Sequence, residues 1–368
     1  MKKRFKRSQR SNLSWRQRAV EWFLTRPEGT LRLLTGGAVD IDGRRLDPAL
    51  VAVCRFAGLK GGMHLLEPAC ARRRASGLSA LLPKVHPLMD RIEEREIPGP
   101  GGPLPIRIYS PPDLRRSPPA LVFFHGGGWV LGDLESSDVF CRLIAGQTPC
   151  RVISVDYRLA PEHPYPAAVQ DAEAAFRWVW EQAEALGIDR RRIGIGGDSA
   201  GGNLAAVVSA ELASGECRPH CQFLIYPVTS AAQDTESYRL FAEGFVLERA
   251  LVDYFYDHYL GPGRRLAQGP DGGATDPKVS PLAAEEFSRL PPTVVATAGF
   301  DVLRDEGDAY AEKLKAAGVH VDHRRYPSLM HAFAAVSGLP SARRAIDEVI
   351  SDLATLFHRG VPAEQGGS

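Results

Sequence analysis

Ser199 stands in Gly197-Asp198-Ser199-Ala200-Gly201, a G-x-S-x-G run whose small neighbours leave room for something to approach the hydroxyl closely. The residues before it, RIGIG (192–196), read as a strand, and those after it, GNLAAVVSAELA, read as a helix. In that setting the run is a nucleophile elbow, a sharp strand-to-helix turn that lifts a serine hydroxyl clear of a sheet. Gly197 and Gly201 fall where side chains would collide with the neighbouring strand and helix. The serine also begins a helix, whose N–H groups and partial positive charge favour a developing oxyanion. A chance G-x-S-x-G would occur roughly 0.1 times in a chain of this size, so the spacing needs partners to carry weight.

A serine nucleophile needs a base, and the elbow sets the chain order serine, acid, histidine. Downstream lie His220, His258, His320, His323, His331 and His358. His331, in YPSLMHAF, follows the last strand pattern as a base on a loop should. The others fall before or within strands, in a helix, or in the tail. Asp301 lies two residues past the strand TVVATAG (293–299) and is the acid that orients His331; Asp305, beside Glu306, reads as negative charge in the first turn of the next helix. The oxyanion requires donors, each worth about 3 to 4 kcal/mol. ALVFFHGGGWVLGD supplies bare backbone N–H groups at Gly127 and Gly128 after a strand, with the N–H of Ala200 completing the set. A phosphate-gripping loop is the rival for these glycines, but there is no G-x-G-x-x-G and no Lys-Ser or Lys-Thr behind them.

These residues must be held by a sheet. From about residue 105 short apolar runs alternate with helical stretches, the pattern of a mostly parallel α/β sheet flanked by helices. The strands are PIRIY (105–109), ALVFF (120–124), RVISVD (151–156), RIGIG (192–196), QFLIYP (222–227), TVVATAG (293–299) and VDHRRY (321–326). Helices are expected over 167–186, in DEGDAYAEKLKAA and in ARRAIDEVISDLATLF. Residues 1–85, basic and helical, and an insertion at about 229–290 fall outside the alternation; both are expected to form a cap over the carboxyl ends of the strands. The catalytic domain is expected to span 86–360, with a flexible tail at 361–368.

Composition narrows the partners. With 45 Lys and Arg against 44 Asp and Glu, the net charge is +1, and no nucleic-acid partner is implied. There is no secretory leader and no 18-residue apolar span, so a cytoplasmic protein is expected. The charge is concentrated, however, in MKKRFKRSQR, and the following SWRQRAVEWFL has helical spacing. That is the pattern of a segment peripheral to a membrane surface, although a helix packed on the domain is the simpler reading. Six cysteines without a C-x-x-C pair read as reduced thiols, with no metal site.

HGGGWVLG (125–132), DYRLAPEHPYPAA (156–168), GDSAGGNLA (197–205), DVLRDEG (301–307) and HAF (331–333) together resemble the hormone-sensitive-lipase-like family of α/β-hydrolases, the bacterial esterases with an HGGG loop. The resemblance runs over about residues 85–358. It implies the α/β-hydrolase fold, a carboxylic ester hydrolase with the triad Ser199, Asp301 and His331, an oxyanion hole from Gly127, Gly128 and Ala200, an N-terminal helical cap and no cofactor. It also implies that His125, with Gly126, supports the oxyanion loop rather than acting as the base. HAF replaces the commoner His-Gly-Phe, and GFDVLRDEG lacks the usual Pro after Asp; neither removes a reacting atom. DYRLAPEHPYPAA has no nucleophilic role and reads as a structural loop. Asp198 reads as a loop hydrogen-bond partner, and Trp129, Asp198, Phe245 and Leu247 are the candidates for the substrate pocket.

The expected substrate is a small-molecule ester with a short to medium acyl chain, and a second copy of the chain is the one protein partner admitted. Two alternatives stand beside it: a longer-chain lipase at a lipid surface, and a non-catalytic receptor for a small ligand on the same fold. In plant gibberellin receptors of this superfamily the elbow persists while the catalytic histidine is lost, whereas His331 is present here.

Overall fold

The computed structural model describes residues 14–58, 61–82, 84–148, 150–265 and 273–359. The basic run at residues 2–10, the tail at 361–368 and part of the Gly/Pro/Asp stretch in the insertion lie outside the described residues.

Strands β3 (Arg91–Gly99), β4 (Gly102–Ser110), β5 (Ala120–Phe124), β6 (Arg151–Val155), β7 (Ile193–Asp198), β8 (Gln222–Ile225), β9 (Thr293–Phe300) and β10 (Val321–Met330) form one eight-stranded sheet. Their order is β10-β9-β8-β7-β5-β6-β4-β3. Pairing is parallel from β10 to β6 and antiparallel where β4 meets β6 and β3. All residues of β5 and β9 are buried, as expected of parallel strands covered on both faces. The helices that cover them form two groups: α5 (Leu134–Gln147) packs with α11 (Pro340–His358), and α6 (Ala167–Glu181) with α7 (Ala200–Leu212). Helix α10 (Arg304–Ala316) packs on β9 and β10.

Strand β3 and helix α5 were among the elements not anticipated. RIEEREIPG carries too many charges to read as a strand, yet it forms β3 at the sheet edge with most residues exposed; charged side chains there deter pairing with another chain. Helix α5 follows the glycine loop at once. Its start is visible in Asp133 and Ser136, whose side chains cap each other's backbone N–H at 2.7 and 2.9 Å. The strand read at 321–326 continues to Met330, past an irregular register after Tyr326.

The N-terminal part holds α1 (Trp15–Leu24), α2 (Glu28–Leu34), α3 (Pro48–Gly58) and α4 (Pro68–Leu81), with a small hairpin of β1 (Asp40–Ile41) and β2 (Arg44–Arg45). The insertion contributes α8 (Glu236–Leu240) and α9 (Arg249–Leu260). Neither builds a core of its own: Leu24, Leu50 and Leu251 join one buried apolar cluster with the sheet residues. Among the described residues no helix is long and apolar enough to cross a membrane.

Candidate active site

Ser199 sits between the end of β7 and the start of α7 with φ 55° and ψ −119°. A non-glycine residue is strained there, and the strain is held by the packing on either side. Its N–H donates to Ile225 O at 2.9 Å, and its carbonyl accepts from Val228 at 3.2 Å. Gly201 explains the small residues of the elbow, because a Cβ on it would run into the backbone oxygens of Phe124 and His125.

His331 follows the last residue of β10, and Asp301 the last residue of β9. The structure brings the three side chains into one line: Ser199 Oγ lies 3.0 Å from His331 Nε2, and His331 Nδ1 lies 2.7 Å from Asp301 Oδ2. The other Asp301 oxygen accepts from the Leu303 N–H at 2.9 Å, so the loop locks the carboxylate. With the ring proton on Nδ1 facing Asp301, Nε2 is left to accept the hydroxyl hydrogen of Ser199. All three residues are buried.

The glycine loop approaches from β5. Gly126 N–H donates to Asp198 Oδ1 at 2.9 Å, which ties the loop to the elbow; burial pushes the Asp198 carboxyl up to about 6. Among the described residues the N–H groups of Gly127, Gly128 and Ala200 donate to no other backbone group. Gly128 has φ +62°, and a Cβ there would strike the Phe255 ring. His125 stacks on Tyr157 at 4.4 Å, its Nδ1 is 2.8 Å from Gly126 O, and its carbonyl accepts from the Tyr157 hydroxyl at 2.7 Å. Burial holds its imidazole below the usual value. It therefore stands on the loop's support and away from the Ser199 line.

Residues of DYRLAPEHPYPAA brace this arrangement. Arg158 grips Asp171 through Nε and one terminal guanidinium nitrogen, and Glu162 pairs with Arg72 of α4 at 2.6 Å. Arg72 also donates to Val130 O and Ala160 O, at 2.7 and 2.8 Å, so one side chain joins α4 to the loop beyond the glycines.

Two cavities lie here and share wall residues, among them Gly127, Leu131 and Val246. One of about 150 Å³ is lined by Gly127, Gly128, Trp129, Ser199, Leu247 and His331, with Leu251, Val252, Phe255 and Tyr256 from the insertion. The other, of about 1010 Å³, runs from Gly126 and Gly127 to Val53 of α3 and to Val20, Phe23 and Leu24 of α1. Asp198 borders both. Trp129 and Leu247, two of the pocket candidates, line the smaller cavity. Phe245 does not: its ring packs on Phe241 and Phe300, 5.4 and 5.7 Å away, and the next residue, Val246, faces the cavities instead. The four α9 residues were missed, although their i, i+1, i+4, i+5 spacing in ERALVDYFYDHYL marks one helix face. Asp305 and Glu306 lie in the first turn of α10, but Glu306 is buried: its Oε1 accepts from the N–H groups of Thr229 and Ser230 at 2.7 and 3.1 Å. All six cysteines are unpaired. Among the described residues no group of three His, Cys, Asp or Glu is placed to hold a metal.

The sequence pattern of a family described as the alpha/beta hydrolase fold matches residues 121–335. A carboxylic ester hydrolase, LipN of Mycobacterium tuberculosis, is 42% identical over 318 residues, covering 83% of this chain and 82% of its own. An ethyl acetate hydrolase of Pseudomonas putida is 39% identical over 77% of this chain and 88% of its own. Among solved structures, an ester hydrolase from the metagenome of Lake Arreo, in complex with a bipyridine phosphonate derivative, superposes with a TM-score of 0.79 at 37% identity, covering 85% of this chain and 99% of that one. A hyperthermophilic esterase from Pyrobaculum calidifontis gives 0.76 at 35% identity, over 84% of this chain and 98% of that one.

Proposed function

The chain belongs to the hormone-sensitive-lipase-like family of α/β-hydrolases, and from that premise we propose that it hydrolyses carboxylic esters of short to medium acyl length through an acyl-enzyme on Ser199. The observation that carries the reading is the unbroken line from Ser199 Oγ through His331 to Asp301, at 3.0 and 2.7 Å.

Ser199 Oγ attacks the ester carbonyl carbon while its proton passes to His331 Nε2. Asp301 stays ionised, holds the ring in place and stabilises the imidazolium. The carbonyl oxygen, now negative, is held by the N–H groups of Gly127, Gly128 and Ala200. Collapse expels the alcohol, which takes the proton from Nε2, and leaves the acyl group on Ser199. A water then attacks the acyl carbon and gives its proton to Nε2. The second tetrahedral species collapses, Ser199 recovers the proton, and the carboxylic acid departs. His331→Ala removes the base, and kcat/KM is expected to fall by about as much as in Ser199→Ala; a variant that keeps its turnover removes His331 from that role.

A p-nitrophenyl ester series from acetate to palmitate, run with the wild type and Ser199→Ala, tests the reading. Loss of turnover by about 10⁴ to 10⁶ in the variant is expected. No turnover of any ester by the folded wild type overturns the proposal and favours a ligand-binding role. Against that role stands the hydrogen bond that His331 already makes to Ser199.

A further inference from the structure

Helix α1 has two faces with different surroundings. Val20, Phe23 and Leu24 border the large cavity. On the opposite side Trp15 and Trp22, seven residues and two turns apart, are 75% and 59% exposed. Large aromatic rings exposed in sequence along one helix are unusual on a surface that meets only water. Arginines accompany them: Arg16 lies 5.4 Å from the Trp15 ring and Arg26 4.1 Å from the Trp22 ring. The helix is well anchored, with a capping box between Ser14 and Gln17 and a bond from Gln17 Nε2 to Ala80 O of α4 at 2.9 Å.

Charge points to the occupant of this face. Residues 1–27 hold nine Lys and Arg (2, 3, 4, 6, 7, 10, 16, 18 and 26) against one acid, Glu21, a balance of +8 in a chain whose total is +1. The remainder is therefore −7, and the positive charge gathers at the end that carries the exposed tryptophans. Tryptophan favours the headgroup level of a bilayer, and basic residues near an anionic leaflet each add about 1 kcal/mol, a factor of about five in binding. Exposed leucines follow in α2, Leu33 and Leu34 at 83% and 59%.

We propose that the outward face of α1 docks the protein on an anionic lipid bilayer, to which the net positive charge of this part of the sequence is complementary. The helix lies in the interface and does not span it. Because its inner face borders the substrate cavity, docking sets that cavity beside the lipid, where amphiphilic esters concentrate. The docking does not depend on the ester-hydrolase reading.

The full-length protein is sedimented with phosphatidylcholine vesicles containing or lacking about a third phosphatidylglycerol, alongside Trp15→Ser/Trp22→Ser and a variant with Lys2, Lys3, Arg4, Lys6, Arg7 and Arg10 replaced by Gln. The wild type is expected to bind the anionic vesicles and to dissociate as salt rises from about 0.05 to about 0.5 M. Each variant is expected to bind at least about tenfold more weakly, with p-nitrophenyl acetate hydrolysis in solution unchanged. Ser199→Ala is expected to sediment as the wild type does, which separates docking from catalysis. Equal sedimentation of the wild type and the tryptophan variant, or none with anionic vesicles, overturns the proposal. So does conversion of a dimer to a monomer by the tryptophan variant without vesicle binding, since the face then belongs to a second copy.

Discussion

Glu306 shows how far one side chain's surroundings can depart from its sequence position. It occupies the first turn of a helix, a usual place for an exposed acid, yet burial pushes its carboxyl up to about 8 despite two N–H donors. Its folded value lies above the ordinary value of 4.5. Between the two the folded chain holds a proton that the unfolded chain has lost. Its contribution to stability is therefore present at low pH and declines as pH rises toward about 8. Glu306→Gln keeps an acceptor for Thr229 and Ser230 and removes the titration; urea melts at pH 5 and pH 8.5 should show a smaller loss at high pH than in the wild type. An equal loss in both proteins would assign the slope to other groups. Asp301→Asn tests a different residue: the amide retains the geometry but upsets the ring tautomer, and kcat should fall by about 10⁴ while Tm changes little.

Elements place these residues, and their junctions are the fragile points. A methyl group at Gly201 has backbone oxygens of Phe124 and His125 in its way, which cannot swing aside. Gly201→Ala should cost about 3 kcal/mol or more in urea unfolding, beyond the usual price of overpacking; an unchanged midpoint would mean the elbow is looser than its geometry. Helix α4 is joined differently, through Arg72 to Glu162, Val130 O and Ala160 O. Arg72→Ala removes this clamp, and KM for a bulky ester should rise several-fold more than KM for an acetate ester. Equal shifts for both substrates would show that the clamp serves stability alone. The elements that carry Ser199, Asp301 and His331 were legible because central parallel strands are apolar throughout and end in short, distinctive turns. Edge strand β3 and helix α5 were not, since an exposed edge keeps its charges and the helix start is overshadowed by the glycines before it.

Across the whole molecule, the larger cavity runs from the glycine loop to α1, and the proposed ester hydrolysis would seat an acyl chain there. Val20→Trp narrows the cavity of about 1010 Å³ without touching the Ser199 line. The ratio of kcat/KM for p-nitrophenyl octanoate over acetate should fall by about tenfold, as expected when a few methylenes lose their place; an unchanged ratio would put the acyl chain elsewhere. What the sequence by itself determined was the fold class and the identity of Ser199, Asp301 and His331 as partners. Those depend on short-range rules: a strand period, a turn that only small residues allow, and an order along the chain. Only the tertiary structure decided the pocket, since its walls come from α1, α3, the glycine loop and α9, which are distant in sequence. The same limit hid the burial of Glu306 and the choice of Val246 over Phe245. Which face of a residue is covered depends on what packs against it, and no local pattern encodes the neighbour.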